Sequence, residues 1–174
     1  LPAMLFLRAT ERTFADAAIR DFAEQAAQGT DPMARLSRLA DALPGRFTLA
    51  HESQDAGRSA AEAFGGDTAT PRDLAHIFVA AARSLEMPAR YVSGYRQTDA
   101  DSGCAPHAWA EVHVPDHGWV ALDPMSGGVA DECYVRVAIG LDAAGTAPIS
   151  GSRLGSGEEE IDVAVQVEQL GGSE

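Results

Sequence analysis

Apolar positions along the chain fall into two textures. Up to about residue 88 they recur three and four apart, the spacing that gives a helix one buried stripe. Beyond that point they alternate with polar positions or cluster with aromatic and β-branched residues, as strands do. Phe14, Ala18 and Phe22 predict the inward face of a first helix starting at Thr13, with Asp16 completing a capping box and Gly29 as its stop. Asp31-Pro32 signals a second start, and Leu36, Leu39, Ala40 and Leu43 give that helix its face before Pro44-Gly45 ends it. Ser59 and Glu62 cap a short helix that Gly65-Gly66 breaks. Residues 1–12 read as an extended entry segment, and 47–51 as a short strand or extended link.

The fullest local specification belongs to Thr70-Pro71-Arg72-Asp73. Thr70 is an N-cap, Pro71 fills the first helical position where its missing N–H costs nothing, and Asp73 completes a capping box. Leu74, Phe78, Ala81, Ala82 and Leu85 then follow at helical spacing, so this is a core helix reaching about Leu85. After Pro88, residues 89–95 read as a strand and 98–106 as a polar loop. From His107 to Val114 the pattern alternates, with His107, Trp109, Glu111 and His113 on one face. Residues 115–118 form a turn and 119–123 the returning strand. Residues 134–139 make another strand, 150–157 a Gly/Ser loop, and Ile161, Val163, Val165 and Val167 mark a last strand. Helices first and hairpin-joined strands afterwards predict an α+β fold, with the Thr70 helix packed on an antiparallel sheet.

The hairpin brings His107 near Asp123. A carboxylate beside an imidazole fixes its tautomer and orientation, which makes this pair the base and orienter of a nucleophile–base–orienter triad. Trp109, two residues from His107 on the same face, is positioned to wall such a site from water. A nucleophile would belong at the mouth of a helix, where N–H groups and the helix dipole lower a thiolate pKa and hold an oxyanion. The other histidines carry less: His76 reads as a packed or capping side chain. Glu111 and His113 lie about 7 Å apart along a strand with no Cys or His cluster to join them, so no metal site is expected, and nothing calls for a cofactor.

Bulk properties narrow the partners. With 174 residues the chain suits one domain with a sizeable core, read here as 13–170. A net charge of -13 argues against nucleic acid or an anionic membrane as partner. Cys104 and Cys133 are too few for a disulfide framework and fit a reduced, cytoplasmic setting. Cys133, at a strand start, reads as half-buried and inert, and Glu158-Glu159-Glu160 as a solvated loop. Leu1–Leu7 has neither a basic leader nor a cleavage site, and with no initiating Met the chain reads as part of a longer protein.

Three stretches, PRDLAHIFVAAARSLEMPARYVSGY, HAWAEVHVPDHGWVALDP and DECYVRVAIG, closely resemble the bacterial transglutaminase-like family, whose core is shared with papain-like cysteine peptidases. The resemblance spans roughly residues 60 to 150. It implies a papain-like fold, an N-terminal β-rich region ahead of Leu1, and a Cys-His-Asp triad. His107 and Asp123 match the family's base and orienter, while the nucleophile position falls on Pro71. Glu86 stands where the family usually has Gly, and Met125-Ser126 where Thr-Asn usually follows Asp-Pro. Proline has no nucleophilic atom and no N–H for an oxyanion. The expected function is therefore a pseudoenzyme, a peptide- or protein-binding or scaffold module whose cleft includes Thr70, Arg72 and Trp109. The alternative is an active thiol hydrolase or acyltransferase that uses Cys104 with His107 and Asp123. A third reading is a purely structural domain.

Overall fold

The computed structural model describes residues 1–50, 57–97 and 104–147. His51, the 98–103 segment, the Gly/Ser loop, the acidic run and the expected last strand at 161–167 lie outside the described residues.

Among the described residues, four α-helices and seven strands follow in the order α1 (Ala17–Ala26), α2 (Pro32–Asp41), β1 (Thr48–Leu49), α3 (Ala60–Phe64), β2 (Thr68–Ala69), α4 (Pro71–Ser84), β3 (Ala89–Gln97), β4 (Cys104–Val114), β5 (Gly118–Asp123), β6 (Gly128–Val129) and β7 (Tyr134–Gly140). The caps read from the sequence at Asp31, Ser59 and Thr70 are the caps that form, while the first helix is capped by Asp16 itself. Asp16, Asp31, Ser59 and Thr70 each accept a backbone N–H at the third residue on, and Ser59/Glu62 and Thr70/Asp73 close reciprocal capping boxes.

Three local expectations change. Leu1–Leu7 is not extended: Ala3–Leu7 winds into a 3₁₀ turn that buries Phe6. A second 3₁₀ turn, Glu11–Thr13, occupies the expected start of the first helix, so Asp16 acts as its N-cap rather than as the N3 partner. That shift rotates the helix. Ile19 and Ala23 face inward, whereas Phe14 is exposed and instead lies under the Arg20 guanidinium, and Ala18 points to solvent. Cys104 to Pro106, read as loop, already belong to β4, paired with Gln97 to Tyr95.

The main sheet is antiparallel, in the order β6-β5-β4-β3-β7. It is not a simple meander, because β7 returns to the far side of β3. A separate parallel pair, β1 with β2, clips the segment before α3 to the one that leads into α4. Ala108, Ala110, Val112, Val114 and Leu122 turn one sheet face to the helices, and with Leu36, Leu39, Leu74 and Phe78 they form the core.

Helix α4 is buried on every side. All eleven residues from Asp73 to Arg83 are inside. Such a helix can meet its neighbours only if both ends are satisfied without water. At the start, Asp73 takes bonds from Thr70 and from Arg58, whose guanidinium lies 2.6 Å away. Burial opposes ionisation of Asp73, but the Arg58 and Thr70 donors outweigh it and hold its pKa below the ordinary value. At the far end, the buried Arg83 guanidinium donates to Phe6 O, Ala89 O, Leu141 O and Thr13 Oγ1. One side chain thus ties the entry segment, β3 and the end of β7 to α4. Burial lowers its pKa to about 10, so it stays charged near neutrality.

The helix closes with a Schellman arrangement. Glu86 N–H donates to Arg83 O at 3.0 Å and Met87 N–H to Ala82 O at 3.0 Å. Glu86 holds a φ of 61°, a left-handed conformation that a side chain disfavours and glycine accepts. Glu86 is exposed, so its side chain offers no compensating packing. Glu86→Gly is expected to stabilise the fold by about 1 kcal/mol. An unchanged or lower urea midpoint would show that the strain is not there.

Candidate active site

His107 sits four residues into β4, and Asp123 ends β5. One step past the pair Ala110↔Leu122, Asp123 stands across from Trp109, which leaves His107 on its diagonal. That is within reach of long side chains on one sheet face. The result is a bond of 2.9 Å between His107 Nε2 and Asp123 Oδ2. Two further donors reach the same carboxylate: Tyr134 Oη to Oδ2 at 2.7 Å and Met125 N–H to Oδ1 at 2.9 Å. Burial opposes ionisation of Asp123, but the bond and charge of His107, then Tyr134 and Met125, more than offset it and lower its pKa.

Tyr134 is the residue that the sequence did not mark. It enters through β7, two strands away from β4, and its ring packs edge-on to His107 at 5.8 Å and to Trp109 at 5.4 Å. Burial, then the bond and charge of Asp123, push its phenol up to about 12. Trp109 lies stacked against His107 with ring centres 6.4 Å apart and is almost fully buried, so it packs behind the pair and does not line the cavity that opens beside His107. Gly94 of β3 makes room for it: a Cβ there would fall 2.7 Å from the indole and 2.0 Å from Val135 O. The site is one aromatic cluster closed over a carboxylate.

A cavity of about 460 Å³ opens beside His107 and reaches Arg72 in the first turn of α4, with Arg12, Tyr91, Ser93 and Tyr95 on its walls. Arg72 at the helix start and His107 therefore border one space. Pro71 holds the first position of α4, as read. Thr70 is buried, with its hydroxyl donated to Asp73 at 2.9 Å, and it serves the cap rather than the cavity wall.

Cys104 does not join the pair. Three residues from His107 on one regularly paired strand, the two side chains leave on opposite faces with Cα atoms about 10 Å apart. Cys133 lies near the other side of Gln97, whose N–H donates to Cys133 O, and is half-buried. The Asp131 carboxylate beside it raises its thiol pKa, the opposite of activation.

His76 is packed at the centre of the molecule. Its Nε2 accepts Ala143 N–H at 3.0 Å, and its ring lies against Tyr91. Glu111 is claimed by Arg90 and Arg136. Among the described residues no three His, Cys, Asp or Glu side chains are grouped to hold a metal ion.

Residues 20–124 match the family model of the transglutaminase-like superfamily. The chain belongs to that superfamily. An uncharacterized protein of Mycobacterium tuberculosis is 30% identical over 163 residues, 86% of this chain and 52% of its own length. One from Mycobacterium leprae is 32% identical over 105 residues, 57% of this chain and 37% of its own. The chain thus spans about half the length, or less, of these relatives. Among solved structures, a candidate cysteine protease from Cytophaga hutchinsonii superposes with a TM-score of 0.72 at 23% identity, covering 83% of this chain and 49% of its own. The periplasmic domain of TgpA from Pseudomonas aeruginosa gives 0.56 at 20% identity, covering 72% and 47%. These likenesses agree on an α+β, papain-like transglutaminase core. No helix among the described residues is long and apolar enough to cross a membrane.

Two measurements probe this transglutaminase-like site. Tyr134→Phe removes one charge-assisted donor from a fully buried carboxylate and is expected to cost about 1–2 kcal/mol in urea unfolding. A change within error would mean that His107 and Met125 alone satisfy Asp123. His76 has its pKa lowered to about 4, first by burial. The unfolded chain, with His near 6.5, binds the proton that the folded chain refuses. Stability present above pH ~6.5 should therefore fall as the pH drops toward 4, by up to roughly 3 kcal/mol. The slope should flatten in His76→Gln, and equal slopes in the two proteins would refute the assignment.

Proposed function

We propose that this transglutaminase-like domain has lost cysteine-nucleophile catalysis and serves as a peptide- or protein-binding module, with the cavity beside His107 as its binding cleft. The observation that carries the reading is Pro71. The resemblance aligns it with the family's nucleophile, and it occupies the first position of α4, whose next residue borders the same cavity as His107. A proline there has no atom to form an acyl-enzyme and no N–H to stabilise an oxyanion. It nevertheless suits a helix start, so the fold keeps its shape while the chemistry goes. The retained His107–Asp123 pair keeps the cleft wall in place.

The alternative, a thiol hydrolase or acyltransferase built on Cys104, lacks support, because strand alternation turns that thiol away from His107. A cytoplasmic setting forms part of the proposal, in keeping with two free cysteines. So does a longer whole protein in which this domain binds and another part acts.

The test is to put the nucleophile back. Wild-type protein is expected to give no turnover of peptide, ester or amine substrates. Pro71→Cys is expected to gain a thiol that iodoacetamide alkylates well below pH ~8.5 and that slows again in a His107→Ala background. Wild-type turnover that His107→Ala abolishes would sink the pseudoenzyme reading. An introduced thiol no faster than Cys104 would show that His107 does not serve position 71.

A further inference from the structure

The turn that follows β7 forms one wall of the cavity, through Ala143, Ala144, Thr146 and Ala147. Its two ends are tied down. Arg83 Nη2 donates to Leu141 O at 3.0 Å, and Ser93 Oγ donates to Thr146 O at 3.4 Å. Within the turn, Gly145 N–H donates to Asp142 Oδ1 and the Thr146 hydroxyl to Ala143 O, both at 3.1 Å. It crosses the end of β7 so closely that a Cβ on Gly140 would stand 2.9 Å from the Thr146 methyl carbon. The result is a strap tethered at both ends. Its middle is held by α4, through a bond of 3.0 Å from Ala143 N–H to His76 Nε2.

That bond fixes a protonation state as well as a position. A ring nitrogen that accepts an N–H carries no proton, so the proton of neutral His76 sits on Nδ1, which has no hydrogen-bond partner among the described residues. His76 is wholly buried, and its ring lies against Tyr91, another residue of the cavity wall. A second proton would set an Nε2–H against the Ala143 N–H, and two donors cannot share one bond. The charges around the ring pull both ways. Burial opposes an imidazolium most, Asp142 and Asp73 favour it, and Arg12 and Arg72 oppose it. Arg83 acts on the same Asp142, and Tyr91 stays a neutral phenol because burial raises its pKa. A charged ring therefore loses its partner on the strap but has a carboxylate acceptor one residue away, at Asp142.

We propose that His76 is a proton-operated latch: neutral, it holds the 141–147 strap against the core, and protonated, it releases Ala143 and turns to Asp142. The strap then shifts between its two tethers, and the cavity changes shape while the sheet stays folded. The latch acts on the wall whatever the cavity binds.

The test is NMR on the full chain from pH ~6.5 to pH ~4, following the His76 ring nitrogens and residue-resolved amide exchange together. At the upper pH the ring should show the Nδ1–H tautomer. As it gains its second proton, protection of the Ala143 amide, corrected for intrinsic exchange, should fall at least roughly tenfold, while the buried Val112 amide of β4 keeps its protection. His76→Gln, whose side-chain oxygen accepts an N–H and does not titrate, should keep Ala143 protected throughout. Asp142→Asn removes the attracting carboxylate and should move the transition to lower pH. Ala143 protection that ignores the charging of the ring, or that is lost only together with that of Val112, overturns the latch. So does a transition that persists unchanged in His76→Gln.

Discussion

A helix surrounded by protein on all sides must have each end closed by protein groups, and this requirement organises the molecule. Helix α4 has no wet face along Asp73–Arg83, so the polar groups along that stretch must find their partners in protein. The Thr70–Asp73 box with Arg58 closes one end, and the Schellman turn closes the other. Arg83 adds a second duty by collecting carbonyls from segments far apart in sequence. A buried guanidinium with several acceptors acts as a fixed node, because leaving any acceptor bare costs a desolvated polar group. The sheet and the entry segment are thereby registered against α4.

What could be read from the sequence followed from how local the cause was. Capping boxes act within four residues, so Ser59, Thr70 and their partners were legible, as was the hairpin that joins His107 to Asp123. The first helix shows where local pattern is ambiguous. Asp16 could close a box begun at Thr13 or open a helix itself, and the choice turns Phe14 from core to surface. Thr10 and Thr13 decide it by bonding to each other and winding their own 3₁₀ turn. Tyr134 was illegible for a different reason. Its role depends on β7 crossing to pair with β3, a non-local event that leaves no periodicity behind. The extent of β4 was missed because Pro106 and its polar neighbours read as loop, yet strand pairing with β3 carries through them.

Asp123 explains why packing alone holds the His–Asp pair together. The carboxylate is fully enclosed, and an enclosed ionised group must be hydrogen-bonded on several sides or the fold is lost. His107, Tyr134 and Met125 supply those bonds. Once the aromatic cluster of His107, Trp109 and Tyr134 closes over Asp123, replacing any member leaves a charge or a void. The pair is thus required by the packing whether or not a nucleophile faces it, and its presence by itself says little about catalysis.

The discriminating position is the one that packing does not constrain. Thr70 must cap, Asp73 must accept, and Leu74 must fill the core, but the first residue of α4 needs no N–H and is partly exposed. Many side chains could stand there without harm to the fold, so the fold alone does not dictate its identity. Proline at that position rigidifies the helix start and removes an N–H from the rim of the cavity, so on the proposed reading the cleft keeps its walls and lacks the donor that an oxyanion would need.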